Sequence, residues 1–463
     1  MLGGDAEASR RRGVRNRAMA STSTPRLLVL FHGSWEEEAL FDKKRRGELL
    51  LEREGFELLH FPHCLRLLWF DARRYAERLC AAYRGRIDAV WSNDDAFGCL
   101  LAAILAARLG LPGNDPRAVV RAQHKLILRG LLAQAVPEAT VPAFALPFAL
   151  GDRRCRDANA LDAAVRAAGR SWPLFAKPVK GTFSALAARV QSAGELVEHM
   201  RLPLVDRFLL RRLMRPFEQL AREWVELPCS VDRALLEQPM EGDQVNVDGY
   251  VEDGEVHLLG IVDEWMYEKE VARARHFAGF TYPSRHPEVV QQRIRAAAVA
   301  AIRAVGFTRG LFNIEMFVLR DGSVRVIEIN PRSAAQFATM YREVDGIDVE
   351  GIGIALAVGR DIASVKRSTP TAGAAASFVF RRFDGTHGPM PAPGAEQWLA
   401  ATHPRARLWL EHSNGRVLRR EYRWYGSHRY AVLNFAARDF PTLMRQGAEC
   451  GERLFGVGPL PLP

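Results

Sequence analysis

Short apolar runs alternate with helical spacing in the first quarter of this chain. Arg26-Leu-Leu-Val-Leu-Phe31 is a continuous apolar run that ends at His32-Gly33, which predicts a buried parallel strand and its loop. Helical spacing over Glu36–Arg53, a second run at Gly55–Phe61, helical spacing over Asp71–Tyr83 and a third run at Ile87–Trp91 continue the pattern. A helix of small residues, Ala96–Leu109, ends at Gly110, a residue suited to the left-handed position after a helix. This alternation predicts an α/β domain with a doubly wound parallel sheet over residues 26–118. Ligands bind such sheets beyond the carboxyl ends of the strands, where Asp94 and Asp95 lie. A helix N-cap is the other role open to Asp95.

The middle of the chain reads differently. Val119–Gln134 is helical, with Lys125 and Arg129 four apart on one face. Trp172–Pro178 is a strand carrying Lys177, Gly181–Ser184 is a loop, and Leu186–Val190 is a returning strand. Helices follow at Ala193–Met200 and Val205–Leu220. Gln244–Val251 and Val256–Asp263 form a hairpin about Asp253-Gly254, residues 264–287 read as irregular, and Pro287–Val305 is a helix closed by Gly306. A second hairpin spans Gly310–Arg332, and a helix covers Val344–Val358. After a linker at 365–372, residues 373–463 read as a small α+β module. The predicted fold class is thus α/β and α+β: a doubly wound parallel-sheet domain (26–118), a two-lobed central domain (119–365) and the C-terminal module (373–463).

Composition narrows the class without naming a function. Hydrophobic content of 48% and charged content of 25% are those of an ordinary globular protein, and no apolar run reaches the length of a membrane span. Six cysteines are scattered without CxxC spacing, which argues against a zinc site or a disulfide framework and for a reducing, cytoplasmic setting. Five arginines make residues 1–25 a flexible basic tail, with no apolar segment of the kind a secretory signal needs. The net charge of +10 has no dense basic block with interleaved aromatics, so a polyphosphate ligand explains it better than nucleic acid does.

The second hairpin carries the strongest chemistry. Asp321-Gly322 between alternating apolar residues predicts a two-residue turn. That turn would pair Val318 with Arg325, Met316 with Ile327, Glu315 with Glu328 and Asn313 with Asn330. Side chains alternate along a strand, so Asn313, Glu315, Glu328 and Asn330 would share one face, with Ile327 and Ile329 on the other. Opposed residues sit roughly 4.5–5.5 Å apart at Cβ, and like charges there destabilise a sheet. A divalent cation between the carboxylates would relieve them, and hard oxygen ligands suit Mg²⁺ shared with a phosphate. A solvated polar face, or a register slipped by one, is the alternative.

Several separated motifs, in order, give the chain a resemblance to the ATP-grasp superfamily of carboxylate–amine ligases, over roughly residues 26–363. The group includes D-alanine–D-alanine ligase, biotin carboxylase and the L-amino acid ligases. The resemblance implies ATP with Mg²⁺ or Mn²⁺, and metal ligands Glu315, Glu328 and Asn330 from the NIE and EINPR motifs. It implies Lys125 and Lys177 on the nucleotide, with Lys177 and Arg332 in catalytic positions, Arg332 steadying the transferred phosphoryl group. Gly181, Thr182 and Ser184 match the phosphate-covering loop. Glu237, Gln238 and Met240 match the adenine hinge, where they would supply backbone contacts, and Gln244 stands at the ribose position. Two departures are His124 where Asp is common and Gln244 where Glu is common.

The implied reaction phosphorylates a carboxylate and joins the acyl phosphate to an amine, releasing ADP and phosphate. Small-molecule carboxylate and amine substrates, with amino acids the expected class, would be the partners; nucleic acid and membrane would not, and a homodimer is one option for assembly. The basic residues Arg273, Arg275, His276 and Arg285 are candidates for holding a substrate carboxylate. A carboxylase-like or purine-pathway enzyme is the alternative within the superfamily, and a catalytically silent ATP-binding regulator is the alternative outside enzymes.

Overall fold

The computed structural model describes residues 24–31, 34–58, 63–181, 186–201, 203–267, 276–411 and 415–457. Strands β1 (Arg26–Leu30), β2 (Leu50–Glu54) and β3 (Ala89–Trp91) form a parallel sheet in the order β2-β1-β3. Helices Ser34–Arg45, Ala72–Tyr83 and Gly98–Leu109 complete this unit. The first helix therefore stops earlier than predicted, and the second strand lies before Gly55 rather than after it. The reason is position: β2 is an outer strand, half polar along its length, and lacks the continuous apolar run that marks a central parallel strand.

A second unit is an antiparallel sheet of β4 (Ala143–Ala149), β5 (Leu174–Pro178), β6 (Ala188–Val190) and β7 (Arg233–Glu237), in the order β4-β7-β5-β6. Helices Ala158–Ala167 and Ala193–His199 contribute Leu161, Val165, Ala193 and Leu196 to its core. The helix Leu204–Ala221 leaves this lobe. Its Leu210, Met214, Phe217 and Leu220 are buried with Leu100, Ile104 and Val120 beside the first sheet.

The central sheet has eight strands. Here β8 (Gly242–Glu252), β9 (Glu255–Met266), β10 (Phe277–Tyr282), β11 (Gly310–Leu319), β12 (Val324–Asn330), β13 (Ala374–Arg382), β14 (Arg407–Leu410) and β15 (His428–Ala437) run in the order β12-β11-β8-β9-β10-β13-β15-β14. The strands after residue 373 thus continue the central sheet edge to edge. Part of the segment read as irregular is also sheet, since β9 extends to Met266 and β10 occupies Phe277–Tyr282. One face of the sheet is sealed by the helix Glu288–Val305. Its Val290, Ile294, Ala298, Ala301, Ile302 and Val305 recur at three- and four-residue spacing and bury against Val245, Val247, Phe312, Ile314 and Met316. Each fully buried Ile or Val stabilises by about 1.5–3 kcal/mol. The other face is polar near β11 and β12, and that is where the site lies.

Two helices proved to be broken. Val119–Gln134 is Pro116–Gln123 followed by Lys125–Ala135, interrupted at His124, whose extended backbone caps the second helix and whose Nδ1 accepts from the Ile127 amide at 3.4 Å. The 344–358 helix is Ala338–Asp345 followed by Val349–Val358, split at Gly346 in the left-handed region (φ 70°). The later helix approaches β3 closely: a Cβ at Gly353 would sit 2.3 Å from the Trp91 ring. The fold class is the expected one.

Candidate active site

The β11–β12 hairpin sets the site. Glu315 pairs with Glu328 and Asn313 with Asn330. The turn differs from the prediction. Leu319 and Ser323 close it, and Gly322 alone is left-handed (φ 73°). Met316 then pairs with Val326, Phe317 with Arg325 and Val318 with Val324, and an extra residue at Ile327 restores the Glu–Glu register. In consequence Val326, not Ile327, joins the apolar core.

A chain of amides runs across this face. Asn330 Nδ2 donates to Asn313 Oδ1 (3.2 Å), Asn313 Nδ2 to Asn246 Oδ1 (3.2 Å), and Asn246 Nδ2 to Glu264 Oε2 (2.9 Å). Asn330 Nδ2 also donates to Glu315 Oε1 at 3.5 Å, so this amide lies against the carboxylate pair. Burial and then the charges of Glu328 and Glu264 push the Glu315 carboxyl well above its ordinary range. Glu328 goes the other way: burial would raise it, but Lys125, Lys177 and Lys180 outweigh burial and hold it down. Two opposed carboxylates with an amide side chain beside them fit a divalent cation that completes its shell with phosphate and water. Among the described residues no group of three or more His, Cys, Asp or Glu gathers as a self-sufficient metal cage.

Cations from separate segments surround the pair. Lys125, at the start of its helix, bonds Glu328 Oε2 (3.1 Å) and the Gly181 carbonyl (3.1 Å), which brings Gly181 to the hairpin. Thr182 and Ser184 lie outside the described residues. Lys177 pairs with Glu237 Oε2 at 2.8 Å, and Arg129 Nε with Glu237 Oε1 at 2.7 Å. Arg129 also donates to the carbonyls of Val326 (2.7 Å) and Ile327 (2.9 Å), the two residues at the bulge. Glu237 is only 1% exposed, and although burial opposes it, Arg129 and Lys177 hold its carboxyl down to about 2. The sequence reading assigned Glu237 backbone contacts alone; the structure adds this buried ion-paired side chain. Gln238 and Met240 follow it beyond the end of β7, and Gln244 lies on β8 opposite Phe317 and Glu264.

Arg332 follows the hairpin and reaches the first sheet. Its Nε bonds Asp95 Oδ2 at 2.7 Å, its Nη2 bonds the same oxygen, and Nη1 bonds the Ser333 carbonyl at 3.1 Å. Asp95 is not the helix cap. The N-cap is Phe97, without a side-chain cap bond, and Asp94 closes the preceding turn by accepting from the amides of Ala96, Phe97 and Gly98 at 3.3, 3.1 and 2.7 Å. Lys180, unremarked in the sequence, is buried over the Phe217 ring (4.9 Å) and donates to the Asp95 carbonyl. Burial draws its ammonium down to about 8. Asp248 was also missed. It pairs with Asn313 across β8–β11, accepts from the Tyr341 hydroxyl (3.0 Å), and is pushed up to about 6 by burial.

The substrate candidates divide. Arg273 and Arg275 lie outside the described residues. His276 sits against Phe383 (5.4 Å between rings) with Nδ1 3.4 Å from Ser427 Oγ, and burial with the nearby Arg381 holds it down to about 4. Arg285 stacks over Phe440 at 4.2 Å. Both therefore meet the strands and helices after residue 373 rather than the hairpin carboxylates.

Residues 170–340 match the ATP-grasp domain family. Among characterised proteins, D-alanine–D-alanine ligase of Chlorobium luteolum is 28% identical over 179 residues, 38% of this chain and 42% of that protein. The carbamoyl phosphate synthase large chain of Gemmatimonas aurantiaca is 30% identical over 149 residues, 32% of this chain and 13% of that protein. The chain thus spans less than half the length of these relatives. Solved structures agree along nearly the whole chain. L-amino acid ligase from Bacillus licheniformis superposes with TM-score 0.66 at 15% identity, covering 94% of this chain and 98% of that one. Biotin carboxylase from Campylobacter jejuni gives 0.59 at 14%, covering 93% and 91%. N5-carboxyaminoimidazole ribonucleotide synthetase from Thermotoga maritima gives 0.60 at 12%, covering 93% and 99%. The chain has the ATP-grasp fold.

Proposed function

We propose that this protein is an ATP-dependent ligase that phosphorylates a substrate carboxylate and joins the acyl phosphate to an amine, releasing ADP and phosphate. The observation that carries the reading is the charge arrangement at one hairpin face. Glu315 and Glu328 are opposed there, and Glu328 feels Lys125, Lys177 and Lys180 while Glu315 feels Arg332. Four cations about two carboxylates suit a metal–polyphosphate complex better than they suit an empty cleft.

The residues divide the work. Glu315, Glu328 and the Asn330 oxygen would hold Mg²⁺ or Mn²⁺, which when bound offsets charge on the β- and γ-phosphates. Lys125 and Lys177 would neutralise the polyphosphate, with Gly181 at the base of the covering loop. The backbone at Glu237, Gln238 and Met240 would line adenine, and the Gln244 amide can both donate to and accept from ribose hydroxyls. Arg332 would hold the phosphoryl group as it passes to the substrate carboxylate, because guanidinium pairs with two oxygens at once. Asn330 ligates without adding a third repelling charge. Closure over the acyl phosphate would keep water from hydrolysing it before the amine arrives. Amino acids are the proposed substrate class, supported by the full-length likeness to an L-amino acid ligase.

The test is incubation with MgATP and pools of amino acids and other carboxylic acids, following ADP and new masses. Substrate-dependent ADP release with an amide product is the expected result. Carboxyl-¹⁸O absent from the released phosphate would refute the acyl phosphate. Nucleotide binding without turnover in every pool would instead assign a binding role.

A further inference from the structure

Asp95 belongs to the first sheet's unit, yet it bonds two of the cations at the cleft. Asp94 closes the turn between β3 and the helix Gly98–Leu109 by accepting from the amides of Ala96, Phe97 and Gly98, and this turn holds its neighbour Asp95. The Asp95 carbonyl accepts from Lys180 and from Gln123 (3.3 Å), while its Oδ2 takes both Nε and Nη2 of Arg332. The pair is mostly shielded from water, with side chains 16% and 21% exposed. Solvent therefore screens it far less than a surface pair.

A donor count shows what this does. A guanidinium has five N–H groups. Asp95 takes one on Nε and one on Nη2, and the Ser333 carbonyl takes one on Nη1. Among the described residues one N–H on each terminal nitrogen finds no acceptor. The terminal edge between these nitrogens is the one that matches two oxygens of a phosphoryl or carboxylate group. Free rotation of an unpaired arginine would present any edge. Held along its Nε side, Arg332 presents this one.

We infer that Asp95 is the positioning residue for Arg332, so that the first sheet's unit forms part of the phosphoryl-transfer site. The inference rests on the ligase reading for its catalytic consequence, while the ion pair itself can be measured without turnover. The Asp95→Ala variant should lose about 100-fold in kcat, the scale of a misplaced catalytic group, with KM for ATP changed less than threefold. Asp95→Asn keeps an oxygen acceptor without the charge and should recover part of that loss. In an Arg332→Lys background, Asp95→Ala should add nothing, because its effect passes through Arg332. Losses that multiply in the double variant would overturn the inference, as would full activity in Asp95→Ala. Full activity in Arg332→Lys would instead overturn the role given to Arg332. Independently of activity, arginine-¹⁵N-labelled protein should show a slowly exchanging Nε–H that is absent in Arg332→Lys and exchanges at least tenfold faster in Asp95→Asn. Unchanged protection in Asp95→Asn would refute the positioning contact whether or not a substrate is known.

Discussion

Replacing Arg129 with Met should cost far more than an average buried substitution, and should loosen the β11–β12 hairpin whose carbonyls it holds. Arg129 is 4% exposed and Glu237 is 1% exposed, so the pair is effectively dry. Removing one member of a buried ion pair costs about 3–5 kcal/mol. The Val326 and Ile327 carbonyls, bonded at 2.7 and 2.9 Å, also lose their donor. Each buried acceptor left without a partner costs about 1–3 kcal/mol. Two effects offset this: Lys177 still pairs with Glu237 at 2.8 Å, and burying the methionine side chain returns about 1.5–3 kcal/mol. The net loss is roughly 4 kcal/mol. The bulge at Ile327 directly precedes Glu328, so freeing its carbonyls should also weaken MgATP binding. Urea unfolding followed by tryptophan fluorescence, with and without MgATP, measures both effects. A loss below about 1 kcal/mol would refute the role given to Arg129 in holding Glu237 and the bulge carbonyls together, since surface substitutions already reach half that. The pH dependence gives a second check. The folded Glu237 carboxyl is held down to about 2 by Arg129 and Lys177 against burial, below an ordinary value of 4.5. It therefore contributes stability that is present above about pH 4.5 and lost as pH falls toward 2. In Arg129→Met that acid-side loss should shrink, because the folded carboxyl is held down less.

Glu328→Gln should abolish ATP turnover while the melting temperature stays within a few degrees of wild type; full activity would sink the metal assignment. Glu315→Gln should stabilise the metal-free protein and inactivate it, because burial and Glu328 make that carboxylate unfavourable; a lower melting temperature in EDTA would contradict this. The folded His124 is pulled down to about 4 by burial, so its neutral form contributes stability present above about pH 6.5 and lost as pH falls toward 4. His124→Asn keeps a capping oxygen without titrating, and should remove roughly 2 kcal/mol of the stability lost between pH 7 and pH 5, as read from urea midpoints. MgATP at a hundred times its Kd should stabilise the protein by about 2.7 kcal/mol, and EDTA should remove most of that shift in calorimetry.

Alternation along a strand and an Asp-Gly turn are local properties, and they located the hairpin. Glu315 still opposes Glu328 and Asn313 opposes Asn330 because the longer turn and the bulge shift the register in opposite senses. The order of helices and strands likewise yielded the fold class, because apolar period follows from backbone geometry alone. The bulge at Ile327 was not legible. It is held by Arg129, 198 residues away in sequence, and a register shift leaves no mark in the residues that undergo it. The outer strand β2 was misplaced because its half-polar face satisfies neither period. Lys180 and Asp95 carry no motif, and the Asp95–Arg332 pair spans 237 residues. The chain by itself thus determined that the NIE and EINPR motifs face each other across one hairpin, since neighbours across a tight turn are neighbours in sequence. Only the tertiary structure decided which cations neutralise the carboxylates there and which edge of Arg332 is left free. Those are distances between segments that folding alone brings together, and burial there sets how strongly each charge is felt.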